Sequence, residues 1–274
     1  MPRRAIVEKI HREPDGTVQS LVRALTLLEL LAGDDEGYRL IDLAERAALS
    51  SSTTHRLLTT LEQKRFVHFD RDTSLWHVGV QCFAVGAAFG RRRNFMALAL
   101  PILRRLRDAT GETVNLGLAD QGDLVFLTQV ESREPMRAMG KPGARTPLAC
   151  TAMGQSILAA MPEQGVSDYL HEYGMPRLTP NSIARPTRLR EALAETRRTG
   201  YAIDNEENAV GLRCVAAVIH DEHRRPAAAV SIAGPTLRVT LQRLPEIGAH
   251  VVAAAREITA AIGGGSPVPP PLGR

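Results

Sequence analysis

The sequence predicts an α+β chain of two domains, on three observations. Its 274 residues exceed the roughly 100–200 residues of one ordinary domain. The stretch up to about residue 80 carries helical periodicities followed by a single hairpin. Beyond about residue 94, alternating runs of strand type are interspersed with helical ones, which describes an antiparallel sheet with helices packed on it. Hydrophobic residues at 44% and charged residues at 23% suffice for a core and exclude wholesale disorder, collagen and coiled-coil rods.

Residues 1–16 are polar and without periodicity and read as a flexible arm. From Val18 the pattern changes. Leu21, Ala24, Leu25, Leu28 and Leu31 recur at helical spacing, giving a helix with one buried stripe that Gly33 ends. A second helix fits Leu40 to Ala47, and a short break at residues 48–50 follows. Serines then cap a third helix, Ser51 to Gln63. Phe66 to Phe69 and Leu75 to Val78 read as two short strands around the turn residues 70–73. Three helices and a hairpin over residues 17–80 are the plan of a winged helix-turn-helix. The small side chains opening the third helix let backbone approach DNA, and His55 and Arg56 can reach base edges or phosphates, with Arg71 in the wing turn. A small helical domain whose serines only cap a helix fits the same pattern; the hairpin directly after the third helix tips the reading towards DNA.

Residues 81–93, apolar with glycines and ending in an arginine run, read as a linker helix. A long helix follows over about Phe95 to Ala109. Thr113 to Ala119 and Leu124 to Val130 make a hairpin, and Met136 to Met139 a third strand. Helices are expected over Thr151 to Met161 and Arg188 to Arg198, the latter capped by Gly200. Tyr201 to Asp204, Leu212 to Ile219 and Ala227 to Ile232 read as strands. A final helix covers Leu241 to Ile262, and the Pro/Gly-rich tail, 265–274, reads as disordered.

The charge balance is modest: 34 basic against 30 acidic side chains give +4. Only Lys9, Lys64 and Lys141 are lysines, so nearly all positive charge is arginine, suited to bidentate contact with phosphate or carboxylate. No apolar run approaches the ~20 residues of a membrane-spanning helix. The charged N-terminus lacks the apolar core of a secretory signal. Three widely spaced cysteines, Cys82, Cys150 and Cys214, form no disulfide framework, and a reducing cytoplasm is the simplest setting.

No phosphate loop, dinucleotide fingerprint or CxxC pair is present. His220, Asp221, Glu222 and His223 lie between two expected strands, where a charged turn is the simpler reading than a metal site. Asp204, Cys214 and Ser231 fall on or beside adjacent strands and can converge on one face. A cysteine near an acid admits a hydrolase nucleophile, but no histidine is placed by sequence to activate it. A ligand pocket needs less, only a few polar groups within apolar walls. Three functions compete: a ligand-responsive DNA-binding regulator, a cysteine-dependent enzyme with an accessory helical domain, and a scaffold whose helical half meets protein partners.

Three stretches decide between them. Val18-Gln-Ser-Leu-Val-Arg-Ala-Leu, Ser52-Thr-Thr-His-Arg-Leu-Leu, and Gly200-Tyr-Ala-Ile-Asp through Gly211-Leu-Arg-Cys to Ser231-Ile-Ala-Gly-Pro235 resemble the IclR family of bacterial transcriptional regulators, named for the isocitrate lyase regulator. The resemblance runs from about Val18 to Gly263. It implies a winged-helix DNA-binding domain over 17–80, a linker helix over 81–93, and a GAF/PAS-like effector domain over 94–264. It also implies a homodimer or dimer of dimers on palindromic promoter DNA, a small-metabolite effector, and neither catalysis nor cofactor. The DNA contacts implied are Ser51, Ser52, Thr53, Thr54, His55, Arg56 and Arg71. The effector pocket implied is Ala152, Met153, Asp204, Leu212, Cys214 and Ser231, with the start of the helix after Pro147 holding a carboxylate on its free N–H groups. The stretch from Gly211 to Pro226 is most similar to the glyoxylate-responsive branch, which makes glyoxylate or a similar 2-oxo acid the expected effector and an aromatic acid such as a hydroxybenzoate its rival. Three positions depart from that branch: Ala233 replaces a serine, Met153 is larger than usual at the helix start, and Arg65 stands where the family has glycine before the wing.

Overall fold

The structure is a computed structural model and describes residues 17–91, 95–138 and 140–265. The N-terminal arm, Arg92 and Arg93 of the arginine run, Met139 and residues 266–274 of the tail lie outside the described residues. The chain divides into two compact units between residues 92 and 93.

In the first unit α1 (Gln19–Ala32), α2 (Leu40–Arg46) and α3 (Ser51–Gln63) precede an antiparallel hairpin of β1 (Val67–Asp70) and β2 (Leu75–Val78), and α4 (Val80–Arg91) follows. Their shared core is Leu27, Leu31, Tyr38, Leu43, Leu58, Val67 and Trp76. The stripe expected on α1 is corrected here: Leu21 and Leu25 are exposed, and Leu27 and Leu31 are the buried pair. Only the last turns of α1 lie over the core. Tyr38, just ahead of α2, bridges to Trp76 of β2 and ties the wing to the helices. The wing turn is set by Asp70, whose carboxylate accepts from Asp72 N at 2.9 Å and from the Thr73 hydroxyl at 2.8 Å.

The second unit is a six-stranded antiparallel sheet with helices on both faces. Its strands are β3 (Thr113–Asp120), β4 (Asp123–Val130), β5 (Arg145–Pro147), β6 (Ala202–Asn205), β7 (Leu212–His220) and β8 (Pro226–Pro235). They lie in the order β5-β4-β3-β8-β7-β6. Period-two alternation gives the sheet two apolar faces. Val215, Ala217, Ile219, Val230 and Ile232 pack with α5 (Phe95–Thr110) and α9 (Leu244–Ala261), which follows a 3₁₀ turn over Leu241–Arg243. Cys214, Ala216, Ala229 and Ala233 face α6 (Ala152–Ala159) and α8 (Pro186–Thr199). Gly200 caps α8 in the left-handed region at φ 85°.

Two elements differ from expectation. The strand expected over Met136 to Met139 is not one at its described residues; the sheet continues instead with β5. The carbonyls of Met136 and Ala138 are taken by side chains, Arg238 at 2.8 Å and Thr113 at 3.1 Å, and not by a neighbouring strand. Arg238 is itself fixed by a bidentate pair with buried Glu112, at 2.7 and 2.8 Å. The helix α7 (Glu163–Tyr173) was not expected; it packs Val166 and Tyr169 into the α6 face.

Candidate effector pocket and DNA-binding helix

In the first unit, the serine that caps α3 is Ser50, whose hydroxyl accepts from Thr53 N at 3.2 Å. That cap starts the helix where the turn from α2 ends. Ser51, Ser52, His55 and Arg56 are exposed on its first turns, Thr53 is half-buried, and Arg71 is exposed at the wing tip. Thr54 is corrected. It is fully buried and its hydroxyl donates to Ser50 O at 3.1 Å, so it packs the helix down and presents nothing to a groove. Arg65, between α3 and the wing, has φ 61°. That left-handed backbone is one glycine adopts without strain, and here an arginine adopts it, with its side chain exposed.

In the second unit, strand register assembles a polar floor. Asp204 pairs with Cys214, Cys214 with Ala233, and Ala233 with Thr113. One pair along, Ala216 meets Ser231, Ser231 meets Asn115, and Asn115 meets Gln129. Over this floor stands the start of α6. Thr151 caps it by accepting from Gly154 N at 2.9 Å, which leaves the amides of Ala152 and Met153 at the open end of the helix. A β-carbon on Gly154 would lie 2.1 Å from Leu148 O, so only glycine lets the helix start sit this close to the preceding turn.

Between floor and helix is a cavity of about 100 Å³. All six residues expected at an effector site, Ala152, Met153, Asp204, Leu212, Cys214 and Ser231, line it. Asn115, Phe126, Gln129, Ala138, Gly140, Thr151, Asn208 and Ala233 complete the wall. Asn115 and Gln129 were missed by reading the sequence, because they join the site through strand pairing and carry no local motif. The Gln129 amide fastens the segment before β5: it donates to Gly140 O at 2.9 Å and accepts from Gly140 N at 2.7 Å.

Asp204 is 1% exposed. Its Oδ1 accepts from Glu207 N at 2.7 Å and Asn208 N at 3.3 Å. Its Oδ2 is buried without a hydrogen-bond partner among the described residues. A buried acceptor left open in a cavity wall is costly unless a ligand satisfies it. Burial raises the Asp204 carboxyl to about 6, against the two backbone hydrogen bonds and the neighbouring Cys214 thiol, which lower it. Burial and the neighbouring Asp204 hold the Cys214 thiol well above its ordinary range, and burial pushes Cys150 up to about 12. A nucleophilic thiol needs the opposite shift. His220 ends β7, and Asp221, Glu222 and His223 lie in the turn that follows, where Asp221 accepts from His223 N and Arg225 N, both at 2.8 Å. No group of three His, Cys, Asp or Glu among the described residues is placed to hold a metal.

Residues 20–71 match the model of the IclR helix-turn-helix domain, and residues 88–260 that of the bacterial transcriptional regulator IclR C-terminal domain. The chain belongs to the IclR family. Among its IclR relatives, the acetate operon repressor of Salmonella typhimurium strain LT2 is 44% identical over 251 residues, covering 91% of this chain and 92% of that one. The solved structure of Thermotoga maritima IclR superposes with a TM-score of 0.74 at 31% identity, over 90% of this chain and all of that one (100%). An IclR homolog from Microbacterium hydrocarbonoxydans, complexed with 4-hydroxybenzoate, shares the fold with a TM-score of 0.79 at 22% identity, over 89% of this chain and 98% of that one. As an IclR member the chain is a DNA-binding transcriptional regulator with an effector-binding C-terminal domain and not an enzyme.

Proposed function

We propose that this regulator is a cytoplasmic repressor that binds a palindromic promoter site as a homodimer or dimer of dimers and changes its DNA affinity on binding glyoxylate or a similar small 2-oxo acid. Residues 17–80 form the DNA-binding domain, 81–93 the linker and 94–264 the effector domain. Ser51, Ser52, Thr53, His55 and Arg56 meet the major groove, and Arg71 the adjacent backbone. The 44% identity to a protein named as a repressor supports the direction of regulation. One observation carries the effector: the unpartnered Asp204 Oδ2 in a small cavity whose opposite wall is the start of α6. The Ala152 and Met153 amides hold the carboxylate, Asp204 accepts from the hydroxyl of the hydrated aldehyde, and Cys214 and Ser231 lie within the same wall. Cavity size favours the small acid over the aromatic one. A protein cavity of roughly 150 Å³ holds a bare benzene ring, and this one measures about 100 Å³.

Fluorescence anisotropy on DNA from upstream of its own gene, with and without millimolar glyoxylate, tests both halves. Tight, salt-sensitive binding that shifts with glyoxylate is the expected result. Binding that ignores glyoxylate but answers to 4-hydroxybenzoate overturns the effector assignment, and absence of salt-dependent DNA affinity overturns the operator assignment.

A further inference from the structure

Asp204 has a second acid at its back. Glu207, 8% exposed, donates its backbone N–H to Asp204 Oδ1 at 2.7 Å, and its carboxyl accepts from Gln155 Nε2 of α6. Gln155 is anchored to Ala149 O at 3.2 Å, so the pair of acids is braced against the helix whose start faces the cavity. The groups around them carry no positive charge. Cys150 precedes α6, Cys214 lies on β7, Glu206 is adjacent in sequence, and the Ser182 and Thr179 hydroxyls donate to Glu207 O at 2.7 and 3.2 Å. The guanidinium of Arg213 is directed elsewhere, to Asn205 Oδ1 at 2.8 Å and to Val239 O. Among the described residues no arginine or lysine forms an ion pair with either acid.

Two buried carboxyls without a cation do not both stay ionised. The Asp204 anion is favoured by two backbone N–H groups and the Cys214 thiol, that of Glu207 by the Gln155 amide and one backbone N–H, of Asn205, so the proton resides on Glu207. An effector carboxylate at the start of α6 would be a further negative charge in the same site. We infer that Glu207 is a proton-bearing residue of the effector site, and that an anionic 2-oxo acid binds only to the form in which Glu207 is protonated. The inference rests on the effector reading above. Burial, followed by the charge of Asp204, pushes Glu207 up to about 8, well above Asp204 at about 6.

Calorimetric titration with glyoxylate across about pH 6.5 to 9.5 tests it, in buffers of differing ionisation enthalpy. The expected Kd is level below about pH 7 and weakens towards tenfold per pH unit above about 8, with uptake approaching one proton per glyoxylate. In Glu207→Gln, which keeps an acceptor for Gln155, the Kd stays level across the range. A level Kd in the unmodified protein, or the same slope in both proteins, overturns the inference. Failure of glyoxylate to bind at any pH sinks the effector reading separately, and thermal unfolding without effector then decides. The folded protein holds a proton that the unfolded chain releases near 4.5. Stability therefore falls as pH rises from about 4.5 through about 8, and Tm of the unmodified protein drops relative to Glu207→Gln over that window. Parallel Tm curves overturn the inference.

Discussion

Ala233 puts a methyl on the pocket floor, paired with Cys214 and one alternate position along β8 from Ser231. The site is 4% exposed and the added atom would face the cavity. Ala233→Ser therefore adds a hydroxyl within reach of a bound 2-oxo acid. One further hydrogen bond contributes about 0.5–1.5 kcal/mol, so glyoxylate is expected to bind roughly two- to twelvefold tighter by calorimetry at neutral pH. An unchanged or weaker Kd would place the effector elsewhere in the cavity. Asp204, Cys214 and Ser231 were legible in the sequence because they sit in local motifs on alternating strands. Asn115, Gln129 and Glu207 were not. The first two enter through pairing across β8, β3 and β4, which no single stretch of sequence displays, and Glu207 reads as one more charge in an acidic turn until its burial is seen.

Elements obeyed local rules where the local rule had no competitor. The Ser50 cap and the Asp70 turn follow from residue types that leave the backbone few alternatives. The stretch from Met136 to Met139 has strand-like composition, yet its described carbonyls are claimed by Arg238 and Thr113 from distant parts of the chain, and β5 takes the sheet edge instead. Thr54 was misassigned for a related reason: a hydroxyl on a helix start reads as polar surface, yet its position in the turn points it at the core. Arg65 shows a local rule broken. A left-handed backbone costs a non-glycine residue roughly 1–2 kcal/mol, and glycine returns some of that gain through unfolded-chain entropy. Arg65→Gly is expected to stabilise the first unit by about 0.5–1 kcal/mol net, a rise of about 2–8 °C in its unfolding midpoint. A lower midpoint would mean that the exposed Arg65 side chain contributes contacts worth more than the strain.

At the scale of the whole molecule, the two binding surfaces lie on separate compact units, each with its own core. An effector changes DNA affinity only if it binds the DNA-competent and DNA-incompetent states unequally. Damage to either site should then have separable consequences. Arg56→Ala removes an exposed cation from the opening of α3. It is expected to weaken operator binding and, where the contact is to phosphate, to lower the slope of log K against log salt by about 1. Glyoxylate should bind that variant with an unchanged Kd. Asp204→Asn replaces the open carboxylate by an amide in the other unit and should weaken glyoxylate roughly 10- to 150-fold, the range for a hydrogen bond to a charged group of about 1.5–3 kcal/mol. Its effector-free operator affinity and salt slope should match those of the unmodified protein. Anisotropy titrations at several salt concentrations, paired with calorimetry on both variants, separate the cases. If Asp204→Asn alters operator binding with no effector present, Asp204 biases the balance of states by itself. The acid that leaves Oδ2 open in the pocket would then be part of the switch and not only its receptor.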